Sequence, residues 1–211
     1  MGKINQGILG GFSGKVGQVV GGNWKGISYM RVHTIPSNPK TEKQVSQRSK
    51  FTTALHFLQP ITPFLRTGYK LFTTKQTAFN AAMSQVLLNA VTGTSPDFQI
   101  DYSKVLVSRG SLTSVIQATA EKTVGTTVKI DWIDNSGSGT ALGTDKAMIL
   151  AYNGTKFSAV YEMDTTTRIL GTVDFELPSI WVNDTVEVYL GFISEDGKNV
   201  SDSIHLSSVQ L

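Results

Sequence analysis

The sequence predicts an α+β protein of two domains. A glycine-rich β arm and a helical hairpin occupy residues 1–95, and a seven-stranded antiparallel β-sandwich follows over residues 96–211. Three observations carry this reading. Nine of the twenty glycines fall within the first 26 residues, interleaved with strand-like apolar side chains. Residues 1–95 hold eleven lysines and arginines against a single acid, Glu42, whereas residues 96–211 hold eight against fifteen. At the same place the texture changes from helical periodicity to apolar–polar alternation broken by turn signals. The boundary falls in the turn-forming cluster T-G-T-S-P-D, near Gly93 to Asp97.

Composition narrows the chemistry. The 211 residues contain no cysteine, which excludes disulfides, thiolate catalysis and cysteine-ligated metals. No window approaches the roughly 18 apolar residues of a membrane span. The N-terminus lacks the apolar run of a secretory signal, and Gln6 stands where a myristoylation motif requires serine or threonine. Cytoplasmic synthesis is expected, with a virion or other assembled particle as the alternative destination.

The arm comes first. Between Gly10 and Arg31 the glycines alternate with Val16, Val19, Val20, Trp24, Ile27, Tyr29 and Met30. Glycine inside a strand costs backbone entropy and leaves nothing to pack, so the arm should become ordered by pairing with the rest of the chain or with a neighbouring copy. Val16, Val19, Val20, Trp24, Tyr29 and Arg31 are the candidate oligomerisation residues. A pocket for the two aromatic rings is expected on the helices.

Those helices are legible in the next stretch. Asn38 before Pro39 reads as an N-cap with proline at the first helical position, and Thr41 with Gln44 forms an alternative capping box. Phe51, Ala54, Leu55 and Leu58 share one helical face, and Pro60 and Pro63 end the helix. Phe64, Leu65, Tyr69 and Phe72 make a short apolar stretch. Phe79, Ala82, Met83, Val86, Leu87 and Ala90 then recur with helical period, which predicts an αα-hairpin. Lys40, Lys43, Arg48, Lys50, Arg66, Lys70 and Lys75 give this half its charge. Cations near a helix start oppose the macrodipole. They fit a solvated face, a polyanion such as nucleic acid, or the acidic half of a neighbouring subunit.

Strands follow near residues 113–119, 127–133, 146–152, 156–162, 168–175, 185–193 and 199–206, with Trp132 in the second. Asn153-Gly154 and Asp196-Gly197 predict type I′ hairpin turns. The strand rhythm, clearest in V-K-I-D-W-I-D and V-E-V-Y-L-G-F-I-S-E-D-G-K-N-V-S-D-S, resembles a fibronectin type III or immunoglobulin-like domain. That resemblance implies a fold and no particular function.

A second resemblance lies at the N-terminus. The W-K-G-x-x-Y-x-R pattern at Trp24, Lys25, Gly26, Tyr29 and Arg31 is followed by N-P-x-T-x-x-Q at Asn38, Pro39, Thr41 and Gln44. Together they resemble the opening of an uncharacterised protein family from Bacteroidota, and they are similar to small proteins seen in phage-like settings. The resemblance covers the first sixty or so residues. It implies a structural or virion-like role and supplies no catalytic residues.

Motifs for catalysis are missing from the sequence. His33, His56 and His205 stand apart, with no metal-binding spacing. Lys15 breaks the serine-nucleophile pattern around Ser13, while Leu9 and Val16 break a phosphate-binding loop around Lys15. Asp131, Asp134 and Asp145 flank a loop that could coordinate a cation, without EF-hand spacing. The expectation is a non-enzymatic assembly protein and homo-oligomer with no cofactor, metal or small-molecule substrate. The alternative is a nucleic-acid-binding protein that uses the basic residues, with Trp24 and Tyr29 as stacking groups.

Overall fold

The glycine-rich residues fold as four antiparallel strands in sequence order: β1 (Lys3–Ile4), β2 (Phe12–Val16), β3 (Val19–Trp24) and β4 (Ile27–Val32). The structure is a computed structural model that describes residues 2–4, 10–24, 26–35, 37–38, 40–74 and 76–211. Gln6, Leu9, Lys25, Pro39 and Lys75 of the sequence reading lie outside the described residues. Gly17 and Gly26, with φ of 59° and 88°, supply the left-handed conformation at the two tight connections. Other glycines serve close approach. A Cβ on Gly22 would lie 2.9 Å from the Tyr29 ring, and one on Gly21 would lie 2.6 Å from the Phe12 ring. The missing side chains let those rings lie across the neighbouring strand. The arm therefore supplies its own strand partners.

Glu42–Leu211 forms the second compact unit, separate from Met1–Thr41. It opens with three helices, where a two-helix hairpin was expected: α1 (Glu42–Leu58), α2 (Thr62–Gly68) and α3 (Ala78–Asn89). Helix α1 starts one residue after Thr41, in keeping with the Thr41–Gln44 alternative and not with Asn38. Pro63 begins a helix instead of ending one. It sits in the first turn of α2, where a missing N–H leaves no bond unmade. Thr77 caps α3, its hydroxyl accepting the Asn80 N–H at 3.2 Å. Among the described residues, no helix is long and apolar enough to cross a membrane.

The hairpin of β5 (Val91–Thr94) and β6 (Asp97–Ile100) occupies the stretch where the domain boundary was expected. Seven strands follow: β7 (Ala118–Lys122), β8 (Thr127–Trp132), β9 (Lys146–Asn153), β10 (Ser158–Glu162), β11 (Thr172–Glu176), β12 (Thr185–Ile193) and β13 (Ile204–Gln210). They make a four-stranded sheet in the order β10-β9-β12-β13 and a three-stranded sheet in the order β11-β8-β7, with antiparallel pairing throughout. The first and last lie later in sequence than alternation indicated. Residues 113–114 are tied to a loop instead: the Thr113 N–H donates to Thr140 Oγ1 at 2.9 Å, and Asn135 Nδ2 donates to the Ser114 carbonyl at 3.0 Å.

Neither expected type I′ turn forms. Asn153 Oδ1 accepts the N–H groups of Thr155 and Lys156 at 3.0 and 2.9 Å, which widens the loop and moves the positive φ to Phe157, at 48°. In the second turn only Gly197 has positive φ, while Asp196 Oδ1 accepts from Lys198 N at 3.0 Å.

The second unit is organised by β9 and β12, which are buried along almost their whole length. Met148, Leu150, Tyr152 and Tyr189 join Phe57, Leu58, Phe64, Leu65, Ala82 and Val86 of the helices in one apolar cluster. The intervening residues Ala147, Ile149, Ala151, Val186, Val188, Leu190 and Phe192 join Val128, Ile130, Trp132 and Phe175 in another. Strand side chains alternate between faces, so the four-stranded sheet has apolar cover on both. This corrects the expected boundary near Gly93 to Asp97. The helices share a core with the strands that follow, and the units divide between Thr41 and Glu42.

A chain of residues 42–211 should therefore unfold cooperatively in urea, whereas residues 97–211 alone should aggregate or bind a hydrophobic dye. A soluble, folded monomer of 97–211, by circular dichroism and light scattering, would contradict the shared core. Phe57→Ala should cost about 3–5 kcal/mol of unfolding free energy in the 42–211 chain.

Candidate functional site

Pairing in the N-terminal sheet sorts its side chains onto two faces. Lys15, Val20 and Arg31 stand in one cross-strand row, followed by Gly22 with Tyr29 and Trp24 with Ile27. Alternation puts these rows on the same face, and puts Val16, Val19 and Val32 with Gly21 and Met30 on the other. The six candidate oligomerisation residues are therefore divided. Val20, Trp24, Tyr29 and Arg31 lie together, apart from Val16 and Val19. Trp24, Ile27, Met30 and Val32 are 63%, 66%, 71% and 68% exposed. Tyr29 lies over Gly22 and is still about half exposed.

The basic residues that accompany the helices sit on several elements. Lys40, at φ 50°, precedes α1; Lys43, Arg48 and Lys50 ride on α1; Arg66 is on α2 and Lys70 in the 3₁₀ turn after it. Lys50 and Phe51 border a groove of about 550 Å³ with Phe79, Met83 and Leu87 of α3. Arg48 and Phe51 border another of about 570 Å³. The first groove is lined mainly by apolar side chains and the second mainly by polar ones around Phe51, and neither is lined by Arg66 or Lys70.

A polar constellation of another kind lies inside the second unit. Arg168 is fully buried, and its guanidinium donates to Asp145 Oδ2 at 3.1 Å, Asn135 Oδ1 at 2.7 Å and the Thr113 carbonyl at 2.8 Å. It also lies 4.0 Å from the centre of the Phe192 ring. Its backbone is held too: the Arg168 N–H donates to the Asp145 carbonyl at 2.7 Å, and its own carbonyl accepts Trp132 Nε1–H at 2.8 Å. Burial pushes the guanidinium pKa down, and Asp145 opposes that shift.

The three aspartates that flanked a loop in sequence have separate partners. Asp131 accepts from Thr172 Oγ1 at 2.6 Å, Asp134 accepts from Ser136, and Asp145 pairs with Arg168. No group of three histidine or acidic side chains among the described residues converges as metal ligands would.

His205 is partly buried and paired. Its Nε2 lies 2.7 Å from Glu187 Oε2, and Ser208 Oγ donates to both Glu187 oxygens at 2.9 and 2.8 Å. A register shift at Val188/Tyr189 brings His205 to this face, and no sequence pattern announces that irregularity. Because Ser208 donates to the carboxylate and not to the imidazole, the cluster lacks a nucleophile–base pair.

Two outcomes follow from these polar contacts. Arg168→Met leaves Asp145 buried without its cation and should cost about 3–5 kcal/mol in urea unfolding; adding Asp145→Leu should recover part of that loss. The second concerns acid. The Asp101 carboxyl pKa is lowered chiefly by Lys104, Asp131 by Thr172, Asp134 by Ser136 and Asp184 by Lys156, while Ser194 leads the groups that bring Asp196 to about 2. Carboxyls depressed in the folded chain bind fewer protons than unfolded ones, whose pKa is about 3.9. Their contribution is present above that value and is lost as pH falls through the folded values, so melting temperature should drop between about pH 4 and pH 2.

Comparison with known proteins adds one assignment. No curated protein and no solved structure matches the chain significantly. One family model covers residues 11–207, which takes in most of the N-terminal sheet, all three helices and the strands through most of β13. The chain belongs to that family, DUF6266, a family of unknown function.

Proposed function

We propose that the protein is a non-enzymatic structural or assembly component that self-associates through its N-terminal sheet, as a homo-oligomer or part of a larger, virion-like particle. The observation that carries this reading is the exposure of Trp24, Ile27, Met30 and Val32 on a small sheet. Large apolar side chains exposed on both faces of one small sheet mark interaction surfaces. A unit of about 40 residues also has too little interior of its own to be strongly stable without a partner. The occupant that fits is a second copy. Residues 1–41 carry five basic residues and no acid, whereas residues 42–211 carry fourteen basic against sixteen acidic, and opposite net charge favours contact between copies.

In this reading the two sheets β10-β9-β12-β13 and β11-β8-β7 form an immunoglobulin or fibronectin type III-like sandwich. Their strand count, antiparallel pairing and shared apolar cluster support it. One observation favours nucleic acid as the partner instead: Lys15 and Arg31 share a face with Trp24 and Tyr29, a mixture of cations and stacking groups.

Light scattering decides between the readings. The full chain should run above its 22.9 kDa monomer mass, and both deletion of residues 1–41 and Trp24→Ala should shift it toward monomer. A deletion product that keeps the full oligomeric mass would overturn the assembly reading. Salt-sensitive binding of random single-stranded DNA by a monomeric full chain would establish the alternative.

A further inference from the structure

The last strand of the N-terminal sheet, β4, is paired along one side. Its register with β3 runs unbroken from Val19↔Val32 to Trp24↔Ile27, and the His33 N–H extends it by donating to the Gln18 carbonyl at 2.7 Å. Opposed residues of an antiparallel pair alternate between exchanging hydrogen bonds and turning their main-chain groups away. Because Gln18 and His33 are a bonded pair, so are Val20 with Arg31, Gly22 with Tyr29 and Trp24 with Ile27. The N–H and C=O groups of Ser28, Met30 and Val32 therefore point away from β3, and no strand among the described residues pairs with them. Every residue of β4 is exposed.

An edge of this kind accepts another strand, and folded proteins blunt it with lysine, proline, a bulge or a short strand. Ile27–Val32 has none of these: it contains no lysine or proline, keeps its register throughout and matches β3 in length. The opposite edge of the same sheet, β1, has only two residues. In the second unit, β11 carries Asp174 and Glu176 at exposed positions, and β13 is met by β7, where Ser207 Oγ donates to the Ala120 carbonyl at 3.1 Å.

We propose that β4 pairs antiparallel with β4 of a second copy about a two-fold axis at Met30, joining two four-stranded sheets into one. The pairing rests on the assembly reading above and gives it a surface and a symmetry. Met30 then opposes Met30, and Ser28 opposes Val32, of the second copy, which completes the outward main-chain groups of all three residues. Other two-fold registers leave some of those groups unpaired. The same register sets Arg31 against Tyr29 of the second copy on the other face, twice by symmetry, and a guanidinium is attracted to an aromatic ring. Tyr29 is about half exposed although it lies over Gly22, so its ring is accessible to that contact. Arg31 is the only charged residue of β4, and centring the axis on it instead would oppose like charges.

Because the chain contains no cysteine, a single introduced one reports on the axis. Residues that exchange hydrogen bonds across an antiparallel pair stand about 5.5 Å apart at Cα, within the span of a disulfide. Met30→Cys should oxidise to a covalent dimer about ten-fold more than Ile27→Cys on the same strand, whose two copies would stand about 20 Å apart. Met30→Pro removes an N–H that β3 does not use, so it should shift the full chain toward monomer in light scattering with its circular dichroism unchanged. The two cysteine variants decide by themselves if the proline variant unfolds. An oligomeric full chain in which Met30→Cys crosslinks no more than Ile27→Cys, or in which folded Met30→Pro keeps the oligomeric mass, overturns edge pairing and leaves association through the faces of the sheet. A full chain that runs as a monomer overturns edge pairing and the assembly reading together.

Discussion

The second unit depends on the burial of one sheet from both sides. In β9 and β12 nearly every residue is buried, and successive side chains enter different apolar clusters. A central pair of strands in that position cannot be stable with cover on only one face, because the apolar area left in water would be that of a domain core. The helices are therefore part of the interior. Tyr152, edge-on to Phe57 at 4.8 Å between ring centres, and Tyr189, whose hydroxyl donates to the Tyr102 carbonyl at 3.0 Å, show how closely the layers engage.

Within that frame Arg168 ties together segments that have little regular structure. It links the chain at Thr113, the loop at Asn135, Asp145 just before β9 and the aromatic Phe192 of β12. A guanidinium suits the task because it offers five donors in a fixed plane and its flat face can rest on a ring. A buried ion pair of this type contributes little net stability compared with apolar packing, and its value lies in fixing which segments meet.

The N-terminal sheet has the opposite character. Its glycines leave room for Tyr29 and Phe12 to lie close across neighbouring strands, without creating an interior. Only Gly21 among its described residues is buried. The exposure of aromatic and aliphatic side chains follows from the glycine content: where neighbouring positions lack side chains, less surface is available to cover the remaining ones.

The sequence by itself determined the local elements. Helical period marked Phe79 through Ala90, alternation marked seven strands, and glycine density marked the strands of the arm, because each signal acts over one turn or one strand. The runs A-M-I-L-A-Y and V-Y-L-G-F also carried a sign of two-sided burial, since apolar residues stand at consecutive positions where one-sided cover would leave alternate polar ones. The change in charge near residue 95 concealed that sign. It reports the surface, and a domain is defined by its core. The tertiary structure alone decided the division at Thr41/Glu42, the meeting of Arg168 with Asp145, and the pairing of His205 with Glu187 across a shifted register. Each of these joins residues from different elements whose approach is set by how apolar faces fit together, a property of the whole packed chain that no short window contains.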